Sequence, residues 1–526
     1  MSKSGKSARW EFQGDLSRVE KLVMKRLTRT GRLFAFLRTH RHELFDDAFQ
    51  DELAAMYSDM PRGTPPKPPA LLAMVTLLQA YERKSDAAAV EEAVFDRRWQ
   101  MVLDCMGTDD PVFSQGALVD FRRRLIKHDM DKRLVERTVE LARTTKDFGH
   151  AALRVALDSA PLWGAGRVED TFNLLGHALD LVVQCVAQVL GIDTAHVLVE
   201  AELKLLGQSS LKAALDIDWD DEMQQREALS RLLDEVKRLR VWLNVKLPEQ
   251  INQPPLKEAL ALVERIIEQD LEPDPDGKGM RVKRGVAKDR LISVVDPEIR
   301  HGRKSKSRLF NGYKRHIARE LDSGLILAAT VRPANEPEHH AADILRPEIE
   351  AYGKIAELHI DRGYLASSWT HDRFETGQRI LAKPWTSRNG DRFPKTAFSI
   401  DLDRGIVRCP ENCTADIHLH VARFRSTDCD GCQSRERCTR AKQGHGRSIT
   451  IHPDERLLIQ LRTLKSTPDG RCLLRERVAI EHALAHITRR QGPKARYVGT
   501  RKNVFDLRRT CAVENLHVLD RPAKAA

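Results

Sequence analysis

A chain of 526 residues has the length for two to four domains and a large core. With 31% charged residues, 6% aromatics and a formal net charge of +11, it reads as a helix-rich protein whose basic balance favours a polyanionic partner, most often nucleic acid. Three classes are disfavoured. The polar residues 1–7 lack the apolar run of a secretory signal; the most apolar stretch, 178–192, is interrupted by Asp180, Gln184 and Gln188 and is short for a bilayer span; nine cysteines in this length do not make a disulfide scaffold.

Residues 1–15 read as disordered, and 16–128 as helices. Apolar positions recur at helical spacing over 71–78, behind a proline-rich run at 65–69. Ser85 and Ser114 have the position of N-caps. The helix after Ser114 carries Arg122, Arg123, Arg124 and Lys127, a cluster that suits either a DNA-contacting helix or a solvated face. Strand character begins at 153–157 and ends on a carboxylate, Asp158. A helical region follows over 171–271; its segment 220–246 reads as a helix pair or short coiled coil, and the turn-rich run 272–279 closes it. β character returns at 291–295, followed by a basic loop at 301–308 and an antiparallel pair at 310–317 and 324–331. A helix is expected over 341–352. The strand 358–360 ends on Asp361, with Gly363 allowing a sharp exit, and another strand covers 379–383. After a cysteine-rich segment, 475–487 reads as a helix bearing Glu481.

Asp158, Asp361 and Glu481 thus each sit on or at the end of a regular element. Carboxylate oxygens suit hard cations, and two Mg²⁺ ions about 3.5–4 Å apart stabilise the attacking and leaving oxygens of a phosphodiester displacement. Three scattered acids among 76 Asp and Glu carry no pattern by spacing alone, and Asp170, Asp296 and Asp343 are rival ligands.

Five cysteines lie between Cys409 and Cys438. Cys409 and Cys413, with Cys429 and Cys432, have the paired layout of a structural Zn²⁺ site; Cys438, His418 and His420 compete as ligands, and unliganded or redox cysteines are the alternative. From 489 to 509 run Arg489, Arg490, Lys494, Arg496, Arg501, Lys502, Arg508 and Arg509 against one acid, Asp506, as phosphate binding would require; a solvated basic face is the other reading.

Blocks along the chain add a resemblance. Residues 157–171, the run Asp296–Arg300 with Lys304 and 312–314, Pro333-Ala-Asn335, Asp361-Arg-Gly-Tyr364, Arg477-Val-Ala-Ile-Glu481 and Asn515-Leu516 occur in the order found in bacterial insertion-sequence DDE transposases. Over most of its length the chain resembles these enzymes, close to the group numbered 1182 among insertion sequences, and 69–127 is similar to their helical N-terminal domain. Two positions depart from the related signature: Leu474 stands where a Tyr is expected, and Thr488, followed by Arg489 and Arg490, where a Lys is expected.

The resemblance implies an α/β fold, an RNase H-like mixed-sheet catalytic core in which the Asp158 and Asp361 strands are neighbours and the Glu481 helix packs across them. The expected division is a helical DNA-binding domain at 16–148, the core at 149–171 and 280–400, a helical insertion at 172–279, a cysteine-rich insertion at 401–445 and the end of the core at 446–520. It implies catalytic, Mg²⁺- or Mn²⁺-binding roles for Asp158, Asp361 and Glu481. DNA contacts are expected from Arg477, Arg489, Arg490, Lys494, Arg496, Arg122, Arg123, Lys304 and Lys314. The implied partners are double-stranded DNA (terminal inverted repeats and target) and further copies of the chain, with no membrane, in the bacterial cytoplasm at the nucleoid. An inactive DNA-binding regulator and a Mg²⁺-dependent nuclease that cuts without joining are the alternatives.

Overall fold

The computed structural model describes residues 9–28, 31–57, 66–146, 148–149, 151–208, 210–277, 279–305 and 307–521. Of the segment expected to be disordered, residues 1–8 lie outside these. Trp10, however, is buried, and its N–H donates to Gln50 Oε1 at 2.8 Å. Residues 65 and 306, parts of the proline-rich run and the basic loop, also lie outside the described residues.

From Arg18 to Thr145 the described chain forms helices and their connections. Pro69 starts the helix Pro69–Glu82, where its missing N–H has no intrahelical partner to lose. Ser85 and Ser114 accept from the N–H groups of Ala88 and Ala117, capping Asp86–Phe95 and Gln115–Lys127 as expected.

A mixed six-stranded sheet lies at the centre of the molecule. Its first strand, β1 (Leu153–Trp163), is longer than the sequence indicated. Asp158 is therefore mid-strand, not at a strand end. Pro161 masked the continuation: a proline is tolerated there because at that position β1 pairs with β5 alone. The hairpin β2 (Leu271–Pro273) and β3 (Met280–Val282) follows, its turn made by the run expected to be a linker. Next come β4 (Arg300–Arg303), β5 (Leu309–Glu320), β6 (Ile326–Pro333), β7 (Ile355–Ile360) and β8 (Arg379–Ala382). The order is β4-β5-β1-β7-β8, with β6 also on β5; β5 runs antiparallel to β1, while β7 and β8 run parallel to it. The expected strand at 291–295 is absent. Leu291 and Ile292 are buried, but Gln269 Oε1 and Glu169 Oε2 accept from the N–H groups of Leu291 and Val294, so side chains replace a ladder.

Alternation along β1 sends Val155 and Leu157 into one core layer, shared with Leu345 and Ile349 of the helix Glu338–Glu350. Ala156 and Leu162 face the other layer, with Ile480 and Leu484 of the helix Val478–Gln491. That second layer continues without a break through the helix Thr500–Asp520 into the N-terminal helices, joining Phe505 and Leu516 to Phe34 and Met74. The two ends of the chain thus fold around one core.

Two segments have cores of their own. The helices between Thr171 and Asp270 gather around Leu174, Val182, Leu232, Leu243 and Ile266. Residues 222–246 form one helix here, not a pair. The apolar stretch read as short for a bilayer belongs to the 20-residue helix Thr171–Leu190, which by length and composition could cross a membrane; it packs on Leu256–Asp270 as the central helix of this segment. The cysteine-rich segment forms an antiparallel meander: β9 (Ser399–Asp401), β10 (Ile406–Arg408), β11 (Thr414–His418), β12 (Val421–Arg423) and β13 (Ser448–Thr450), over a small core of Val407, Ala422, Phe424 and Ile449.

Candidate active site

Register brings the first two acids together. Ala156 of β1 pairs with His359 of β7, so two residues further on Asp158 and Asp361 stand level on adjacent parallel strands. Asp158 Oδ1 accepts from the Ser159 N–H at 2.8 Å; Asp361 Oδ1 accepts from the Arg362 N–H at 2.8 Å and caps the 3₁₀ turn Arg362–Tyr364. The expected helix over 475–487 is divided at Arg477, which ends Pro468–Glu476 and begins Val478–Gln491. Glu481 falls in the first turn of the second helix, where the helix dipole favours a carboxylate. This helix packs across β1 and β5. All three acids line one cleft of about 690 Å³.

Arg477 stands between two of them. Its Nη1 lies 2.9 Å from Asp158 Oδ2 and its Nη2 2.9 Å from Glu481 Oε1. The first contact is an ion pair without hydrogen-bond alignment, since Nη1 is buried and makes no hydrogen bond. The Asp158 side chain is 14% exposed and that of Glu481 51%, so the cleft runs from a shielded floor to an open wall. Burial pushes the Asp158 carboxyl up to about 6, with Arg477 acting against the shift and Asp361 and Glu481 adding to it.

A fourth acid, Glu338, was not anticipated. It lines the same cleft, and its Oε1 accepts from Ser159 Oγ at 2.6 Å. The helix over 341–352 in fact starts at Glu338, directly after Pro337, a start signal that could have placed this carboxylate in a first turn. Gly363 serves this residue: its φ is ordinary, and a Cβ there would strike Glu338 Oε2. Behind the acids, Tyr364 Oη lies 2.7 Å from His316 Nδ1, and burial pushes the His316 pKa down to about 3, keeping the ring neutral. The rival acids lie elsewhere. Asp170 caps Thr171–Leu190, Asp296 accepts from Tyr313 Oη at 2.5 Å, and Asp343 accepts from the Trp369 N–H at 3.0 Å.

Lys304, Lys314 and Arg489 line the cleft, as does Arg303, which was not anticipated. Thr488 is there too, so Arg489 brings a cation one residue beyond the departed lysine position, and Leu474 is buried. Lys494 and Arg496 are exposed; Arg490 is half-buried over the Tyr81 ring, 5.5 Å from its centroid. Other basic residues are taken up by carboxylates of the chain itself. Arg122 pairs with Asp86 at 2.5 Å and donates to Tyr497 Oη, so it does not lie free on a DNA face; Arg123 pairs with Asp120 on the surface. Arg501 and Arg508 pair with buried Asp131, and Arg509 with Asp506, which removes them from the expected basic face.

Comparison with known families places both ends of the chain. Residues 23–124 match the family described as Transposase domain (DUF772), and residues 409–519 the one described as Transposase DDE domain. Both matches are to transposase families, in the order expected of an insertion-sequence DDE transposase, with the DDE domain at the C-terminal end. No curated protein and no solved structure matches it. The DDE match includes Arg477 and Glu481 but neither Asp158 nor Asp361, whose candidacy stands on the geometry above.

DDE transposases use divalent metal ions, and the donor set of the cleft fits one: carboxylate oxygens from three elements, with one arginine between two of them. Among the described residues the group whose ligand atoms all lie within 4.8 Å of one another is a different one, Glu357, His359 and Glu476. Arg154 and Arg379 lie 2.9 and 2.6 Å from Glu357, and Arg154 also pairs with Glu476, so cations already fill that group.

In the meander the Cys409 N–H donates to the Cys413 carbonyl at 2.9 Å, and the Cys432 N–H to that of Cys429 at 3.3 Å, two tight turns presenting thiols. Burial and then the nearby Cys409 raise the Cys413 thiol; burial raises that of Cys438, with Cys429, Cys432 and Cys409 adding to it. Cys438 thus joins the four thiols expected from sequence.

Proposed function

We propose that this chain is an active DNA transposase, cutting the ends of its element and joining them to target DNA. The observation that carries the reading is the convergence of Asp158, Asp361 and Glu481, from three segments far apart in sequence, on one cation-lined cleft. An RNase H-like core is supported by the parallel pairing of the Asp158 and Asp361 strands and by the Glu481 helix across them. The catalytic core is assigned to 149–171, 280–400 and 446–520, DNA-end binding to 16–148, and the helical and cysteine-rich insertions to 172–279 and 401–445.

Asp158, Asp361 and Glu481 hold Mg²⁺ or Mn²⁺, which when bound lowers the pKa of water and stabilises the attacking and leaving oxygens. Arg477, balancing Asp158 and Glu481 here, turns its charge to the DNA phosphate once those acids are otherwise engaged. Lys304, Lys314 and Arg489, with Arg490, Lys494 and Arg496 beyond, hold the phosphate backbone against the acids. Glu338 fixes Ser159 and through it the adjoining Asp158. Water attacks phosphorus and the P–O3′ bond breaks, leaving a 5′-phosphate and a 3′-OH; that 3′-OH then attacks a target phosphate in the same cleft, forming a new P–O bond while the target's own P–O3′ bond breaks and its 3′ oxygen leaves with the proton. Cys409, Cys413, Cys429 and Cys432 hold a structural Zn²⁺. The protein acts as a homo-oligomer on two DNA ends, in the cytoplasm at the nucleoid.

The test is cleavage and joining of labelled DNA carrying the element's flanking ends, with Mg²⁺, by wild type, Asp361→Ala and Glu481→Ala. Metal-dependent nicking and joining lost in both variants, with DNA binding kept, supports the reading. Binding without nicking by wild type points to a regulator. Nicking without joining points to a nuclease, and activity surviving in both variants shows that other acids act.

A further inference from the structure

A second cavity, of about 480 Å³, lies next to the catalytic cleft on the side of the N-terminal helices. Three helices frame it: the end of Pro69–Glu82, the last turns of Val478–Gln491, and Thr500–Asp520. Arg83, His486, Arg489, Arg490, Glu514 and His517 line it. Tyr81 and Arg521 complete the lining, so four arginines face a single carboxylate.

That carboxylate is engaged. Glu514 lies 3.1 Å from His486 Nδ1 and 3.8 Å from Arg490 Nη2. Among the described residues neither Arg83 nor Arg489 forms an ion pair, and both are exposed. Arg490 Nε and His517 Nε2 are buried and lack a hydrogen-bond partner. Orphaned buried donors are uncommon in a folded protein and call for an acceptor from outside the chain. Arg83 is held at φ +60° where its helix ends, a left-handed conformation that an arginine adopts at a cost and that sets the direction in which the chain leaves the helix.

An oxygen-rich anion answers all of these features, because arginine forks match phosphate oxygens. Position selects its source. Arg489 lines both this cavity and the catalytic cleft. Arg83 and Arg490 also line a further small cavity with Lys494 and Arg496. The cations therefore form a continuous run from the acids to the N-terminal helices. We propose that this cavity takes a phosphodiester of the DNA strand leaving the cleft, with Arg83 and Arg489 as its outer clamp and Arg490 beneath. Through Arg83 the N-terminal domain then holds the same DNA molecule that the acids cut.

This inference rests on the reading of the cleft as a DNA-cutting site, and the experiment separates the two. The full chain, in EDTA, is titrated with a labelled DNA duplex at several salt concentrations, as wild type, Arg83→Ala and Arg83→Lys; the melting temperature of each is taken alongside. A lost phosphate contact lowers the slope of log K against log salt by about one, alike for any sequence. Arg83→Ala is expected to show that drop and a several-fold weaker Kd, with unchanged melting, and Arg83→Lys to recover most of both. An unchanged slope and Kd in Arg83→Ala overturns the inference while leaving the cleft reading intact, provided wild type binds. Failure of wild type to bind duplex sinks both. If inorganic phosphate raises the melting of wild type and not of Arg83→Ala while their DNA affinities agree, the cavity is a free-anion site and the inference is wrong.

Discussion

The basic stretch near the C-terminus divides into two halves with opposite fates. Arg489, Lys494 and Arg496 stand exposed beside the cleft, with no carboxylate paired to them among the described residues. Arg501, Arg508 and Arg509, a few residues on, lie against Asp131, Asp129, Glu348 and Asp506 inside the protein. Each half carries three arginines and one lysine, and each has an exception, Arg490 against Glu514 in the first and exposed Lys502 in the second. The difference is the helix Thr500–Asp520, which threads the second half through the core while the first half lies in the last turn and the loop before it. A count of basic residues therefore overstates the charge available to DNA, and burial decides which cations are free.

The contrast is most severely tested at Asp131, which is fully buried and joins Arg501 and Arg508 across the two ends of the chain. Asp131→Ala removes the buried partner that the two arginines share, leaving them Asp129 and Glu348, and is expected to cost about 1–3 kcal/mol in urea unfolding, with the DNA affinity of the folded fraction unchanged. Next comes Arg477, the one cation held by the candidate acids. Without metal, Arg477→Ala leaves Asp158 and Glu481 facing each other and should lower the melting temperature. Mg²⁺ should then raise melting more in the variant than in wild type; an equal rise in both would show that the metal does not bind where the guanidinium sits. Lys494→Ala belongs to the free half and is expected to change stability by less than about 0.5 kcal/mol while lowering the salt slope of DNA binding by about one. The smallest effect belongs to Arg123→Ala. Its surface pair with Asp120 contributes about 0.3–0.5 kcal/mol, so any larger loss in a denaturation curve would assign Arg123 a role the fold does not show.

Much of the sheet was readable from apolar runs and carboxylates at strand ends: Asp361 lies where the run 358–360 predicts. Asp158 was found in the right strand but misplaced within it, since Pro161 reads as a terminator unless the one-sided pairing is known. The strand expected at 291–295 fails for the opposite reason, as its apolar residues are buried while its N–H groups go to side chains. Glu338 escaped notice because its helix begins three residues before the apolar periodicity does. Arg122 looked like Arg489 in sequence, since Asp86, its partner, becomes a neighbour through tertiary packing alone.

The shared core also bears on timing. Buried along most of its length, the helix Thr500–Asp520 completes the packing of the N-terminal helices, yet it leaves the ribosome after every other element described above. The early helices must wait, with apolar faces uncovered, until residue 520 has been made, since contacts so distant in sequence close late. A polypeptide stopped short of that helix would carry all three candidate acids, but the layer that seats the Glu481 helix would lack one side. The complete candidate site would then be assembled only in molecules whose synthesis has run past residue 520.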